Sequence, residues 1–176
     1  MKYGGRRYRR VSRTSAMRQR TVCFTGHRKL GAPAEYVEAR VMEIIESLIQ
    51  EGYLYFGAGG ARGFDALASE AVLNLKARYP RIHLILVLPF DEQYTHERDW
   101  TRLEIEQYHS LKARASKTVI LSEGYSSGVY YRRNRHLVDN ASVCVAYLTR
   151  PNTGTSYTVN YAKAQGLRVL NVEGPG

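Results

Sequence analysis

The 176-residue chain is 44% hydrophobic and 24% charged, with a net charge of +10. These proportions exclude a disordered chain and suit one domain with an ordinary core. No apolar run approaches the roughly 18 residues that a membrane-spanning helix needs; the longest, Ile82 to Phe90, is strand-length.

The charge is unevenly placed. Residues 1–20 contain Lys2, Arg6, Arg7, Arg9, Arg10, Arg13, Arg18 and Arg20 and no acid, a balance of +8, so the remainder is nearly neutral at +2. Residues 1–20 therefore read as a basic flexible tail and residues 21–176 as the folded domain. Such a tail is either a solvated extension or a grip on an anionic partner through phosphate contacts. Met17 stands just before the first strand, so Met1–Ala16 also reads as an upstream extension. The paired arginines near the start lack the apolar stretch of an export signal, which points to the cytoplasm. Cys23 and Cys144 both fall in apolar strand patterns and read as reduced core thiols, with neither a disulfide nor a metal site expected.

In chain order, the first strand is Thr21 to Thr25, followed by an amphipathic helix from Pro33 to Gln50 that Gly52 ends. A second strand, Tyr53 to Phe56, enters a glycine-rich turn at residues 57–63, and a helix follows with Phe64, Leu67, Ala68, Ala71, Val72 and Leu75 at helical spacing. The third strand, Ile82 to Leu88, is aliphatic on both faces, with Pro89 expected to stop it. A helical stretch from Glu92 to Ala113 leads to a fourth strand at Thr118 to Leu121, and a short helix follows around Tyr131 to Asp139. A fifth strand (Val143 to Leu148), a helix (Thr155 to Gln165) and a sixth strand (Val169 to Val172) complete the chain. This alternation predicts an α/β, Rossmann-like, doubly wound and mainly parallel sheet with helices on both faces.

In such sheets ligands bind beyond the carboxyl ends of the strands, and three strand ends here carry glycine with small polar or cationic residues. Gly59, Gly60, Ala61, Arg62, Gly63 and Asp65 precede the second helix, where glycines allow close approach to an oxyanion and the helix N-terminus offers free amides. Asp65 either caps that helix or accepts from a ligand hydroxyl or a neighbouring arginine. Thr25, Gly26, His27 and Arg28 follow the first strand; Arg28 has the planar fork that suits a phosphate, and His27 is either a structural loop histidine or a ligand contact. Gly154, Thr155 and Ser156 open the last helix as an anion seat or a plain hydroxyl cap. Trp100, Tyr94 and Tyr108 read either as a base-stacking group or as packing. No cluster has metal-ligand spacing and no catalytic residue is assigned.

The run Gly59-Gly60-Ala61-Arg62-Gly63-Phe64-Asp65-Ala66 resembles the GGARGxDxxAH-type loop of the Smf/DprA proteins. Tyr130-Tyr131-Arg132-Arg133-Asn134-Arg135 is similar to their FPxRNR segment, with tyrosine in place of phenylalanine. Phe24-Thr25-Gly26-His27-Arg28, with Leu88-Pro89-Phe90 and Gly154-Thr155, resembles the YpsA-like branch of the same SLOG superfamily. The resemblance spans about Thr21 to Val172. It implies a Rossmann-like fold, a nucleotide or ADP-ribose-like ligand held by a sensor or sequestering module, often a homodimer, and a ligand-facing or supporting role for Arg133 and Asn134.

The Smf/DprA likeness also implies single-stranded DNA as a partner, through the basic tail and Arg132 to Arg135. A third alternative is a nucleotide-processing glycosidic hydrolase. In the related LOG-type phosphoribohydrolases a PGGxGTxxE loop supplies a glutamate; the matching position here is Thr158, which counts against that activity.

Overall fold

The computed structural model describes residues 13–173. Most of the expected basic tail lies outside the described residues; of its described part, Arg13–Arg18 forms a short helix, α1. Thr21 Oγ1 donates to the Met17 carbonyl and Arg18 Nε to that of Ala141, which ties α1 to the domain. The elements then run β1 (Thr21–Gly26), α2 (Ala34–Gln50), β2 (Tyr55–Ala58), α3 (Phe64–Lys76), β3 (His83–Phe90), a 3-10 turn (Gln93–His96), α4 (Arg102–Arg114), β4 (Lys117–Ser122), α5 (Val129–Asp139), β5 (Val143–Tyr147), α6 (Gly154–Ala164) and β6 (Arg168–Asn171).

The strands form one parallel sheet in the order β4-β3-β2-β1-β5-β6. Strand alternation divides the core into two layers. Val22, Phe24, Phe56, Leu84, Leu86, Val143 and Val145 face α2, α3 and α4, whereas Cys23, Val87 and Cys144 face Leu137 and Val138 of α5 and Ala162 of α6. Cys23 and Cys144 are register partners, buried and unbridged. The chain winds outward from β1 to β4 and then crosses to β5 on the other side of β1. The gap between the carboxyl ends of β1 and β5 is thus the topological switch point, where a doubly wound sheet opens a crevice.

Two boundaries differ from the sequence reading for physical reasons. Pro89 does not stop β3, which continues to Phe90 opposite Ser122. The His83 amide donates to Leu54 and the Leu84 carbonyl accepts from Ser116, so odd residues of β3 face β2 and even ones face β4. Pro89 therefore lacks its N–H on the side where β2 has already ended at Ala58, and no ladder bond is lost. The stretch from Glu92 is not one helix either. Glu92 is left-handed at φ 51°, and Thr101 starts α4 afresh with a capping box to Glu104.

The glycines of the β2–α3 turn meet internal packing. Gly63, at φ +77°, precedes α3, and a Cβ there would lie 2.1 Å from the Arg28 carbonyl oxygen. The Phe64 amide, freed at the start of α3, donates to the His27 carbonyl, which locks the β1 and β2 turns together. Gly63→Ala should therefore destabilise the domain by roughly 3 kcal/mol or more, through the backbone clash and the unfavourable φ. Gly124→Ala, in open space, should change stability by no more than about 0.5 kcal/mol. Denaturant unfolding of the two variants checks the contrast.

Candidate functional site

A cavity of about 490 Å³ opens at the switch point, a volume typical of small-molecule sites. Three groups of elements build its wall. The end of β1 and its turn supply Thr25, Gly26, His27, Arg28 and Lys29; the β2–α3 turn supplies Ala61, Arg62 and Asp65; α5 and the β5–α6 turn supply Tyr130, Tyr131, Arg133, Asn134, Arg150, Thr153, Gly154 and Thr155. Eleven of the fifteen residues expected from sequence are thus brought together. Gly59, Gly60, Gly63 and Ser156 lie outside the wall.

The reason is that the glycine turn already holds an anion. The buried Asp65 carboxylate accepts from the Gly59 amide (Oδ2, 3.2 Å), with the Ala61 amide also favouring its charge. Burial pushes its carboxyl up, while the Arg133 charge and those amides pull it back. Arg133, only 5% exposed, donates Nη1 to the Gly59 carbonyl, and the fully buried Gln93 donates Nε2 to the same oxygen at 3.1 Å. A Cβ on Gly59 would strike the Arg133 side chain, and one on Gly60 would lie 2.4 Å from Leu88. These glycines make room for protein side chains, and the expected phosphate cradle is filled from within. Asp65 serves as internal counter-ion to the turn while one edge of it still reaches the cavity.

Gly26 follows the same logic: a Cβ would meet the Phe64 ring at 2.4 Å, and that ring stacks on Tyr147 at 5.7 Å. Gly154 differs, because a Cβ there would meet nothing within 4 Å. At the start of α6, Thr153 and Ser156 form a reciprocal capping box and the Tyr157 amide closes on the Thr153 carbonyl. Ser156 is thus a cap. The amides of Gly154 and Thr155, the first two of α6, have no intrahelical acceptor and stand at the cavity with the positive end of the helix. Asn152, left-handed at φ 56°, turns the chain into this helix.

The cations are unequally committed. Arg28 pairs with Glu97 at 2.7 Å, and Arg62 donates to the Asp99 carbonyl at 2.7 Å and lies 3.5 Å from Glu104. Lys29 and Arg150 are exposed at the rim. Asn134 Oδ1 accepts from Arg133 Nε, which leaves its amide protons for the cavity. Sequence reasoning missed Lys29, Arg150, Thr153 and the two tyrosines as wall residues; Arg150 carried a signal, since it follows β5 at the ligand end of the sheet. Trp100, Tyr94 and Tyr108 form an aromatic cluster packed on α4, away from this cavity, so packing is their role. Thr158, at the expected hydrolase position, is buried and donates to the Gly154 carbonyl. Among the described residues no group of His, Cys, Asp and Glu could hold a metal ion, and no helix is long and apolar enough to cross a membrane.

His27 resolves as a structural bridge that also lines the cavity. Its Nε2 accepts the Thr149 amide at 3.0 Å, joining the ends of β1 and β5 and fixing the neutral ring with its proton on Nδ1. Burial, then the Arg150 charge, push its pKa below the ordinary 6.5. The unfolded chain then binds the proton more readily, so the stability from neutral His27 is complete above about pH 6.5 and is lost as pH falls toward the lowered value. His27→Gln should remove this part of the pH dependence. Unfolding midpoints of both proteins between pH 5 and 8 check it.

Comparison with known proteins agrees with this architecture. The chain is 28% identical over 137 residues to the SPbeta prophage-derived protein YoqJ of Bacillus subtilis, covering 70% of this chain and 78% of that one. It is 29% identical over 131 residues to UPF0398 protein BH1768 of Halalkalibacterium halodurans, covering 73% and 68%. The fold matches DNA processing protein A (DprA) of Streptococcus pneumoniae with a TM-score of 0.60 at 19% identity, over 87% of this chain but only 50% of that protein. The DprA of Helicobacter pylori, studied for its single-stranded DNA binding mode, gives 0.61 at 17% identity over 90% and 68%. The YpsA family model, described as a SLOG family, matches residues 23–169, and this chain belongs to that family.

Proposed function

We propose that the switch-point cavity binds a nucleotide or a nucleotide derivative of the ADP-ribose kind, and that the chain serves as a sensor or sequestering module for it. The observation that carries this reading is the grouping, within one 490 Å³ cavity, of the two leading amides of α6, the rim cations Lys29 and Arg150, and the rings of Tyr130 and Tyr131. Helix amides and cations suit a phosphate, an aromatic ring suits a base, and Asn134 and Asp65 suit sugar hydroxyls. No bond cleavage is assigned, because Thr158 leaves the α6 turn without an acid.

Gly154 separates binding from folding, since a Cβ there would meet no protein atom within 4 Å while the residue lines the cavity at the start of α6. Calorimetric titration with AMP and ADP-ribose should show binding by the native chain. Gly154→Leu should bind at least about tenfold more weakly with an unchanged unfolding midpoint. No binding of either compound by the native chain, or equal affinity in the variant, rejects the reading.

One observation favours a second reading, single-stranded DNA. Tyr131 and Tyr157, 48% and 39% exposed, form an edge-to-face pair at 4.8 Å beside the cavity mouth, with Arg132 and Arg135 on the same helix. Exposed rings among cations suit stacked bases and phosphates. Oligothymidine affinity should then fall steeply with salt, and Tyr131→Ala with Tyr157→Ala should cost about 1–3 kcal/mol per stacked base. Salt-independent binding unaffected by both changes would discard it.

A further inference from the structure

The loop between the 3-10 turn and α4, with the first turn of α4, lies outside the cavity wall, yet it holds two of the wall's arginines. Glu97 pairs with Arg28, and Asp99 and Glu104 engage Arg62. Glu97 is the better fixed: its side chain is 14% exposed against 43% for Arg28, and its second oxygen accepts from Trp100 Nε1 at 2.7 Å. Arg28 in turn lies 5.8 Å from the centre of the Tyr130 ring, whose other neighbouring guanidinium, that of Arg133, is 5.7 Å away. Tyr130 is the position where the resembling segment carries phenylalanine, and its hydroxyl lies near Glu97. Burial, then the Glu97 charge, push its pKa up to about 12, so it stays a neutral donor.

We propose that Glu97 is a positioning residue for anion recognition: held by Trp100, it fixes the Arg28 guanidinium against Tyr130 and leaves the remaining N–H groups of Arg28 directed to an anionic group of the ligand. The contact with Glu97 is an ion pair through one nitrogen, and a guanidinium carries five N–H donors, so Arg28 keeps capacity for a phosphate. A guanidinium fixed beforehand loses less freedom on binding than a free one. The inference rests on the nucleotide reading above and names the part of the ligand that Glu97 governs, its charged group and not its base.

The test uses AMP and adenosine as probes, with calorimetry on the native chain, Glu97→Ala, Arg28→Met and the double variant. Glu97→Ala should weaken AMP about tenfold while leaving adenosine unchanged. In the Arg28→Met background the same change should have no further effect on AMP. Glu97→Gln, which keeps an acceptor oxygen for Arg28, should recover most of the loss. Equal loss for AMP and adenosine marks a merely structural residue and overturns the inference. Unchanged or tighter AMP binding by Glu97→Ala overturns it as well, as does a loss that persists without Arg28. If the native chain binds neither AMP nor ADP-ribose, the nucleotide reading falls and this inference with it. If the native chain binds but the cycle shows no coupling, only the Glu97 assignment falls.

Discussion

The Asp65 carboxylate, seated in the amides of its own turn above the buried Arg133, is the constraint on which the site depends. Burying either charge alone would cost several kcal/mol. Burial pushes Arg133 down and Asp65 up, and each is the leading charge that draws the other back. Arg133 meets the turn at the Gly59 carbonyl, which requires close approach of the turn to α5, and the glycines provide it: Gly59 admits the Arg133 side chain and Gly60 admits Leu88 and Gln93. The turn is thus held by contacts within the chain itself.

That internal anion also decides where an external one can go. A glycine-rich turn before a helix is ordinarily an oxyanion seat, but here the Gly59 amide is spent on Asp65 and the Phe64 amide on the His27 carbonyl. The same chemical surplus is left at α6, where the capping box of Thr153 and Ser156 consumes only the third amide. The two turns look alike in sequence and differ in what their amides face.

The fold was largely legible because its signals are local. Six apolar runs separated by amphipathic helices allow little besides a parallel sheet, and the crossover rules then bring the turns after β1, β2 and β5 to one rim. The motif residues on those turns could be named for the same reason. What each residue does was not legible, because it depends on side chains far away in sequence. Gly59 meets Arg133 across 74 residues, His27 meets Thr149 across 122, and Gln93 reaches Gly59 across 34. Nothing within a single turn distinguishes a glycine that admits a phosphate from one that admits an arginine. The Pro89 boundary failed similarly, since its tolerance depends on where the neighbouring strand stops.

The division of labour among the cations follows from burial. Arg133 is buried between the turn and Asn134, Arg28 and Arg62 are each tied from outside the wall, and Lys29 and Arg150 stand exposed at the rim. Rim charges steer an anion toward the mouth and are screened by salt, whereas a guanidinium pinned beside an aromatic ring is screened less and discriminates by geometry. The charge of the folded domain is nearly balanced, while five cationic side chains, Arg28, Lys29, Arg62, Arg133 and Arg150, gather at this cavity. On the proposed reading, such a cavity would attract an anion at its rim and select it at Arg28, whose guanidinium Glu97 holds from outside the wall.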